Sequence, residues 1–286
     1  MSLAYLNGNY QPLAETQVSV MDRGFLFGDG VYEVIPVYAR QPFRLHEHLQ
    51  RLGNSLVATR IENPHTITGW EAIAMRLIES SDSADQQIYL QVTRGAAPVR
   101  NHAFPEHAVP TVFAMTDPLL PPAPELLATG AAAVSAADIR WLRCDIKATS
   151  LLANCLLRQL SVDAGCAETV LFRNGLLSEG AATNIFVVRD GVVLAPPKNH
   201  LMLPGITYDV ILEICRLHDI PCTVRDIPEA EVRAADEVLM TSSTREVQAI
   251  VQLDGSSIGS GRPGPMALRI AAHYQEFKHA VMYGRA

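Results

Sequence analysis

Apolar and polar positions change rhythm several times along this chain, and each rhythm predicts an element. Residues 4–10 place apolar flanks around Asn7-Gly8, a pair that favours the positive φ of a tight hairpin turn. Residues 31–38 read as a strand, turned at Ala39-Arg40-Gln41-Pro42 into Phe43-Arg44-Leu45, so a meander is building. Leu45, Leu49, Leu52 and Leu56 then recur at helical spacing and predict a helix over 46–60, with a second over 68–80. Strand character returns at 87–95 and 110–116, rich in Ile, Val, Tyr and Phe. The first half is therefore expected to be an antiparallel sheet with two helices, an α+β layout.

Pro118-Leu119-Leu120-Pro121-Pro122-Ala123-Pro124 interrupts that pattern, because prolines so dense favour an extended linker over sheet or helix. The expected division is a smaller N-terminal domain over 1–118, a linker over 119–125 and a larger C-terminal domain over 126–286. The second half restarts with a strand over 130–136, an extended segment over 139–143 and a helix over 149–164. Strands over 168–173 and 176–177 flank an Arg-Asn-Gly turn, and strands over 183–189 and 192–195 flank an Arg-Asp-Gly turn. A helix over 207–218, a strand over 222–226 and a short helix near Glu229 follow. Strands over 237–241 and 247–253 and a helix over 265–279 complete the chain.

Composition narrows the function classes. At 286 residues the chain suits two domains, and 48% hydrophobic with 19% charged residues is ordinary for a globular protein. A net charge of −7 argues against nucleic acid as the main partner, though not against a local pocket for a small anion. Cys144, Cys155, Cys166, Cys215 and Cys222 form no CxxC pair and no zinc spacing; they read as reduced thiols, so the cytoplasm is the expected compartment and no metal site is expected. The first eight residues carry neither a basic nor an apolar leader region, and no run approaches 18 apolar residues, so neither secretion signal nor membrane span is expected.

Several polar residues fall outside the hydrophobic pattern. Lys147 lies between the extended segment and the apolar run from Leu151 to Leu160, where burial would lower an ammonium pKa; a helix-start lysine reaching to solvent is the plainer alternative. Arg51, beside the leucine stripe, reads either as an ion-paired surface residue or as a phosphate clamp. His46 and His48 sit two apart and face different sides, which is not a metal spacing. Leu203-Pro204-Gly205-Ile206-Thr207 leads into a helix whose free N–H groups suit an anion, and Thr207 could equally be a plain cap. Thr241-Ser242-Ser243-Thr244 is a hydroxyl cluster or a simple turn. Glu179, just before Gly180 and an apolar strand, is either an exposed turn residue or a buried carboxylate that needs a cationic partner.

Together these motifs resemble the fold-type IV pyridoxal-phosphate enzymes. Lys147 in Asp-Ile-Lys, Glu179 in Ser-Glu-Gly-x-x-x-Asn-Ile-Phe, Gly205-Ile206-Thr207 and Thr241-Ser242-Ser243-Thr244 occur in that family's order. Asp22-Arg23-Gly24, Phe27-Gly28-Asp29-Gly30-Val31-Tyr32-Glu33 and His48-Leu49-Gln50-Arg51-Leu52 look like its N-terminal motifs. Arg100-Asn101-His102 is similar to the Arg-x-His carboxylate trap of the D-amino-acid aminotransferase subgroup.

The resemblance implies an α+β fold of two domains, a smaller N-terminal α/β sandwich and a larger C-terminal pseudo-barrel carrying the lysine. It implies pyridoxal 5'-phosphate held as a Schiff base on Lys147, with Glu179 on the pyridine nitrogen and Leu203 against the ring. Arg51, Ile206, Thr207, Ser243 and Thr244 would hold the phosphate, and Tyr32, Arg100 and His102 the substrate carboxylate. The implied unit is a homodimer whose Arg-x-His loop comes from the partner subunit. The implied reaction is transamination of D-amino acids, of the type D-alanine plus 2-oxoglutarate to pyruvate plus D-glutamate. The alternatives are a branched-chain L-amino-acid aminotransferase or an aminodeoxychorismate lyase of the same fold, or a degenerate member that only binds the cofactor.

Overall fold

A computed structural model describes residues 2–120 and 124–284. It divides into two compact units, Met1–Leu120 with Ile146–Leu151, and Pro121–Asp145 with Leu152–Ala286.

In the first unit, Asn7 and Gly8 take φ of 48° and 93°, and Leu3–Leu6 (β1) folds back on Asn9–Pro12 (β2). A single helical turn, Arg23–Phe27 (α1), is capped by the Asp22 carboxylate, which accepts from the Gly24 N–H. Gly30–Tyr38 (β3) turns at Ala39 and Arg40, both at positive φ, into Gln41–Pro42 (β4). Helices Leu45–Thr59 (α2) and Ile67–Ser80 (α3) follow, then strands Gln86–Thr93 (β5) and Thr111–Pro118 (β6). The strands form one antiparallel sheet in the order β2-β1-β6-β5-β3-β4. Leu49, Leu52 and Leu56 of α2 and Trp70, Ile73 and Leu77 of α3 pack with Val31, Leu90, Val92 and Ala114 of the sheet, which is why the leucine spacing is readable.

Ile146 and Ala148 are buried in that same core. Residues 146–151 thus pack with the first unit, whereas the sequence expectation assigns all of 126–286 to the second. The reason is pairing: Tyr32 N–H donates to the Lys147 carbonyl (2.9 Å), Thr149 N–H donates to Gly30 (2.9 Å), and Val31 bridges Ala148. The segment over 139–143, expected to be extended, is an irregular stretch with Ile139, Trp141 and Leu142 exposed and only Arg140 buried.

The second unit begins at Pro124–Thr129 (α4). A proline at the first helical position loses no hydrogen bond, so the proline-rich segment ends in a helix where an extended linker was expected. Residues 121–123 of that linker lie outside the described residues. Next come Ala131–Ala137 (β7), Leu152–Asp163 (α5), Glu168–Arg173 (β8), Leu176–Gly180 (β9), Asn184–Arg189 (β10) and Val192–Ala195 (β11). Ile206–Leu217 (α6), Cys222–Val224 (β12), Glu229–Arg233 (α7), Glu237–Ser242 (β13), Glu246–Leu253 (β14), Ser256–Ser257 (β15) and Pro265–Tyr283 (α8) complete it.

The described strands form a mixed sheet in the order β12-β11-β10-β13-β14-β7-β8-β9, with β15 paired to β14. Strand β9 at one end runs through Ala181–Thr183 into β10 near the other, so the sheet curls on itself around a core of Val170, Ile185, Val187, Val238, Met240 and Ile250. No described helix is long and apolar enough to cross a membrane.

Candidate active site

Each unit carries part of the predicted set. In the first, Lys147 is half-buried, its carbonyl bound by Tyr32 and its N–H donating to Ser55 Oγ (3.2 Å). Its Nζ lies 4.3 Å from the centroid of the Tyr32 ring, on β3. The lysine is therefore fixed by its backbone, through the carbonyl to strand β3 and through the N–H to a side chain of α2, not by a helix of its own.

Arg51 is buried on α2 and ion-paired, with Nε and Nη2 donating to the two oxygens of Glu33 (2.7 and 2.8 Å). His48, one turn earlier on the same face, donates from Nδ1 to Glu33 Oε2 (2.8 Å). Burial raises the Glu33 carboxyl, but the charge and hydrogen bonds of Arg51, helped by His48, outweigh it and hold the group down at about 2. Burial also lowers the His48 imidazole against the pull of Glu33, and His48 Nε2 is buried without a hydrogen-bond partner.

Arg100 and His102 lie on the exposed loop between β5 and β6. The guanidinium carbon of Arg100 is 5.0 Å from the Phe27 ring centroid and the His102 ring is 5.2 Å from it, so one aromatic ring holds both side chains.

In the second unit, Glu179 is the penultimate residue of β9 and is 4% exposed. The buried reading holds, and the cation it requires is Arg140, whose Nη1 hydrogen-bonds Glu179 Oε1. Arg140 is divided: its Nε and Nη2 also grip Asp138 (2.9 Å each), which binds Arg173 as well (3.1 Å). Asn184 Nδ2 donates to Glu179 Oε2 (2.9 Å) and to the Leu203 carbonyl (3.0 Å), and the Leu203 N–H donates to Glu179 Oε1 (3.1 Å). Burial pushes the Glu179 carboxyl up to about 7 in spite of Arg140. Burial acts on Asp138 in the same direction but is overcome by Arg140 and Arg173, and its carboxyl is lowered.

Half-buried Leu203 leads into α6, whose cap Gly205 gives no side-chain hydrogen bond; Ile206 and Thr207, both buried, open the first turn with their N–H groups free of a side-chain cap. A Cβ on Gly205 would sit 2.0 Å from Asn184 Oδ1, so only glycine lets the helix start approach β10 this closely. Asn184 pairs with Thr241 of β13 in the sheet, and half-buried Ser243 and Thr244 form the turn that follows β13. Glu179, Leu203, Ile206, Thr207, Ser243 and Thr244 are thereby brought to one end of this sheet. The buried hydroxyls of Thr183 and Thr241 have no hydrogen-bond partner.

Uncapped helical N–H groups and orphaned hydroxyls are a donor set suited to a phosphate, and a carboxyl near 7 suits a shared proton on a ring nitrogen. These features fit a pyridoxal-phosphate-type group. The roles of Arg140, Asp138, Asn184 and Glu33 escape a reading of the sequence; a buried glutamate demanding a cation is the available signal, but nothing in the order of residues names the partner.

Comparison with known proteins agrees with this chemistry. The amino-transferase class IV family matches residues 30–253. The chain is 37% identical over 269 residues to the D-alanine aminotransferase of Bacillus licheniformis, covering 94% of each. It is 34% identical over 278 residues to that of Staphylococcus epidermidis, covering 97% of this chain and 98% of the relative. Among solved structures, a T.th. branched-chain amino acid aminotransferase with pyridoxamine 5'-phosphate aligns at a TM-score of 0.91 and 27% identity, covering 99% of this chain and 95% of that one. The branched-chain amino acid aminotransferase of Escherichia coli aligns at 0.88 and 25% identity, covering 100% and 96%. With its fold, its motifs and nearly its whole length accounted for in this way, the chain belongs to the class IV aminotransferases.

Proposed function

We propose that this protein transaminates D-amino acids, of which D-alanine with 2-oxoglutarate is the type, using pyridoxal 5'-phosphate. The observation that carries the substrate reading is the placement of Arg100 and His102 on one Phe27 ring, a cation and an imidazole side by side in a chain whose similar relatives are D-alanine aminotransferases.

When bound, the cofactor supplies the electron sink for the pair left as the amino acid loses its Cα proton. Lys147 Nζ would hold the cofactor covalently and, when free, would be the base that takes that proton from Cα. Glu179, poised near 7 and steadied by Arg140 and Asn184, would keep the proton on the pyridine nitrogen. Leu203 would pack against the cofactor ring. The N–H groups of Ile206 and Thr207, the hydroxyls of Ser243 and Thr244, and Arg51 would hold the phosphate. Tyr32, Arg100 and His102 bind the substrate carboxylate, with the Arg100 loop supplied by the partner subunit of a homodimer. The free state of all five thiols fits a cytoplasmic enzyme.

A second reading, transamination of branched-chain L-amino acids, is favoured by the solved structures that align with the chain. A panel of D- and L-amino acids with 2-oxoglutarate separates the two: D-alanine should exceed L-leucine in kcat/KM by about 100-fold or more. Preference for L-leucine would sink the D-specific assignment.

A further inference from the structure

The loop that carries Arg100 and His102 has no helix, and its only sheet pairing is the single bridge from Ala96 to Asp22. Its shape comes from elsewhere in the first unit, from Asp22-Arg23-Gly24, a motif conspicuous in the sequence and given no part in the chemistry above. At the base of the loop, the Arg23 N–H donates to the Gly95 carbonyl (2.9 Å) and the Ala97 N–H donates to Met21 (3.3 Å). The Asp22 carboxylate accepts from the Thr111 hydroxyl (2.7 Å), on the other side of the loop. That base is pinched: Gly95 has φ of +89°, and a Cβ there would lie 1.9 Å from the Val109 carbonyl oxygen.

Farther out, the buried Arg23 guanidinium gathers three consecutive carbonyls. Nη1 donates to Asn101 (2.5 Å) and Ala103 (3.3 Å), and Nη2 donates to His102 (3.2 Å). Its remaining edge is fixed by Asp29, which accepts from Arg23 Nε (2.7 Å) and from Arg94 Nε (2.8 Å). The same guanidinium lies 4.9 Å from the Phe27 ring that supports Arg100 and His102. Burying an arginine costs desolvation, and a loop that only needed to close could have left its carbonyls to water. Three peptide carbonyls tied to one planar fork instead fix the backbone on both sides of His102 and next to Arg100.

We propose that Arg23 is a positioning residue for the substrate carboxylate: it holds the backbone of the loop so that Arg100 and His102 present one preformed anion receptor. The inference rests on the reading that Arg100 and His102 receive the carboxylate. A preordered receptor lowers the ordering cost at each binding event, so the effect falls on substrate affinity and spares the proton-transfer step.

The test is steady-state kinetics of the holoenzyme with D-alanine, alongside its half-reaction with ethylamine, which is D-alanine without the carboxylate. Arg23→Gln should raise the KM for D-alanine about tenfold or more with little change in kcat and leave ethylamine unaffected. Arg23→Lys, a point charge without the fork, should restore only part of the affinity. Amide exchange over 99–104 should accelerate in Arg23→Gln while β5 and β6 keep their protection. In the Arg100→Ala background, adding Arg23→Gln should raise KM by less than it does alone. An unchanged KM for Arg23→Gln, an equal loss with D-alanine and ethylamine, or full additivity with Arg100→Ala would each overturn the inference while a raised KM for Arg100→Ala keeps the carboxylate reading standing. If Arg100→Ala itself leaves KM unchanged, the carboxylate reading falls and takes the inference with it. Should Arg23→Gln not fold, Arg23→Lys, which keeps the charge and loses the fork on the three carbonyls, is held to the same three readouts.

Discussion

Each unit buries a glutamate against an arginine, Glu33 with Arg51 in the first and Glu179 with Arg140 in the second, yet their carboxyls are displaced in opposite directions. Burial raises both. Arg51 gives Glu33 two nitrogens, His48 adds a third donor, and the net result is a carboxyl at about 2. Arg140 spends two nitrogens on Asp138 and offers Glu179 one, and the negative charge of Asp138 adds to burial, so Glu179 comes to rest at about 7. The sign is set by how undivided the positive charge is. A carboxylate at about 2 is a permanent anion that orients its arginine; one near 7 can hold or release a proton at working pH.

The largest expected break in this comparison is functional. Glu179→Gln removes the titrating group and should lower kcat by about 100- to 10,000-fold, whereas Glu33→Gln should act mainly on stability and on cofactor retention. Comparable losses of kcat in the two variants would erase the distinction.

Next in size is the structural cost on the other side. Glu33→Gln leaves Arg51 buried without its carboxylate and should destabilise the cofactor-free protein by about 3–5 kcal/mol, measured by urea unfolding. A cost below about 1 kcal/mol would show that the buried pair is not what orders this face of α2.

The smallest effect is in pH dependence. Glu179, at about 7 when folded against an ordinary 4.5, binds its proton more tightly in the folded state, so its contribution declines as pH rises from 4.5 to 7. Glu33 has the opposite sign: its contribution is present above 4.5 and is lost as pH falls towards 2. Denaturation of the cofactor-free protein across pH 4.5 to 7 should therefore show a decline that Glu179→Gln abolishes. Asp138→Asn, which frees Arg140 for Glu179, should shrink it, and an unaltered slope in Asp138→Asn would refute the divided-arginine account.

The sequence reveals the apolar half of this design well and the polar half poorly. Leu49, Leu52 and Leu56 announce the buried face of α2 because one periodicity suffices to identify it. His48 and Arg51 share that face, and Glu33, fifteen and eighteen residues away, accepts from both. Glu179 can be judged to need a cation, yet Arg140 lies thirty-nine residues distant, in a stretch whose Ile139, Trp141 and Leu142 suggest a strand and are instead exposed. Helix α1 escapes the pattern because five residues are too few to establish a helical period. The family motifs identify the lysine and glutamate without any of this, since a resemblance carries long-range pairings that local pattern cannot.

The return of residues 146–151 to the first unit also sets an order of events during synthesis. Ile146 and Ala148 belong to that unit's core, and the Lys147 carbonyl is the acceptor for Tyr32 in β3. A nascent chain that has emerged only as far as Leu120 holds every strand of the first sheet but lacks these contacts. The first unit therefore cannot finish folding until residues 121–145, which belong to the other unit, have also left the ribosome. Its last core positions arrive together with Lys147, so a chain truncated before that residue loses part of its hydrophobic interior along with the lysine proposed to hold the cofactor.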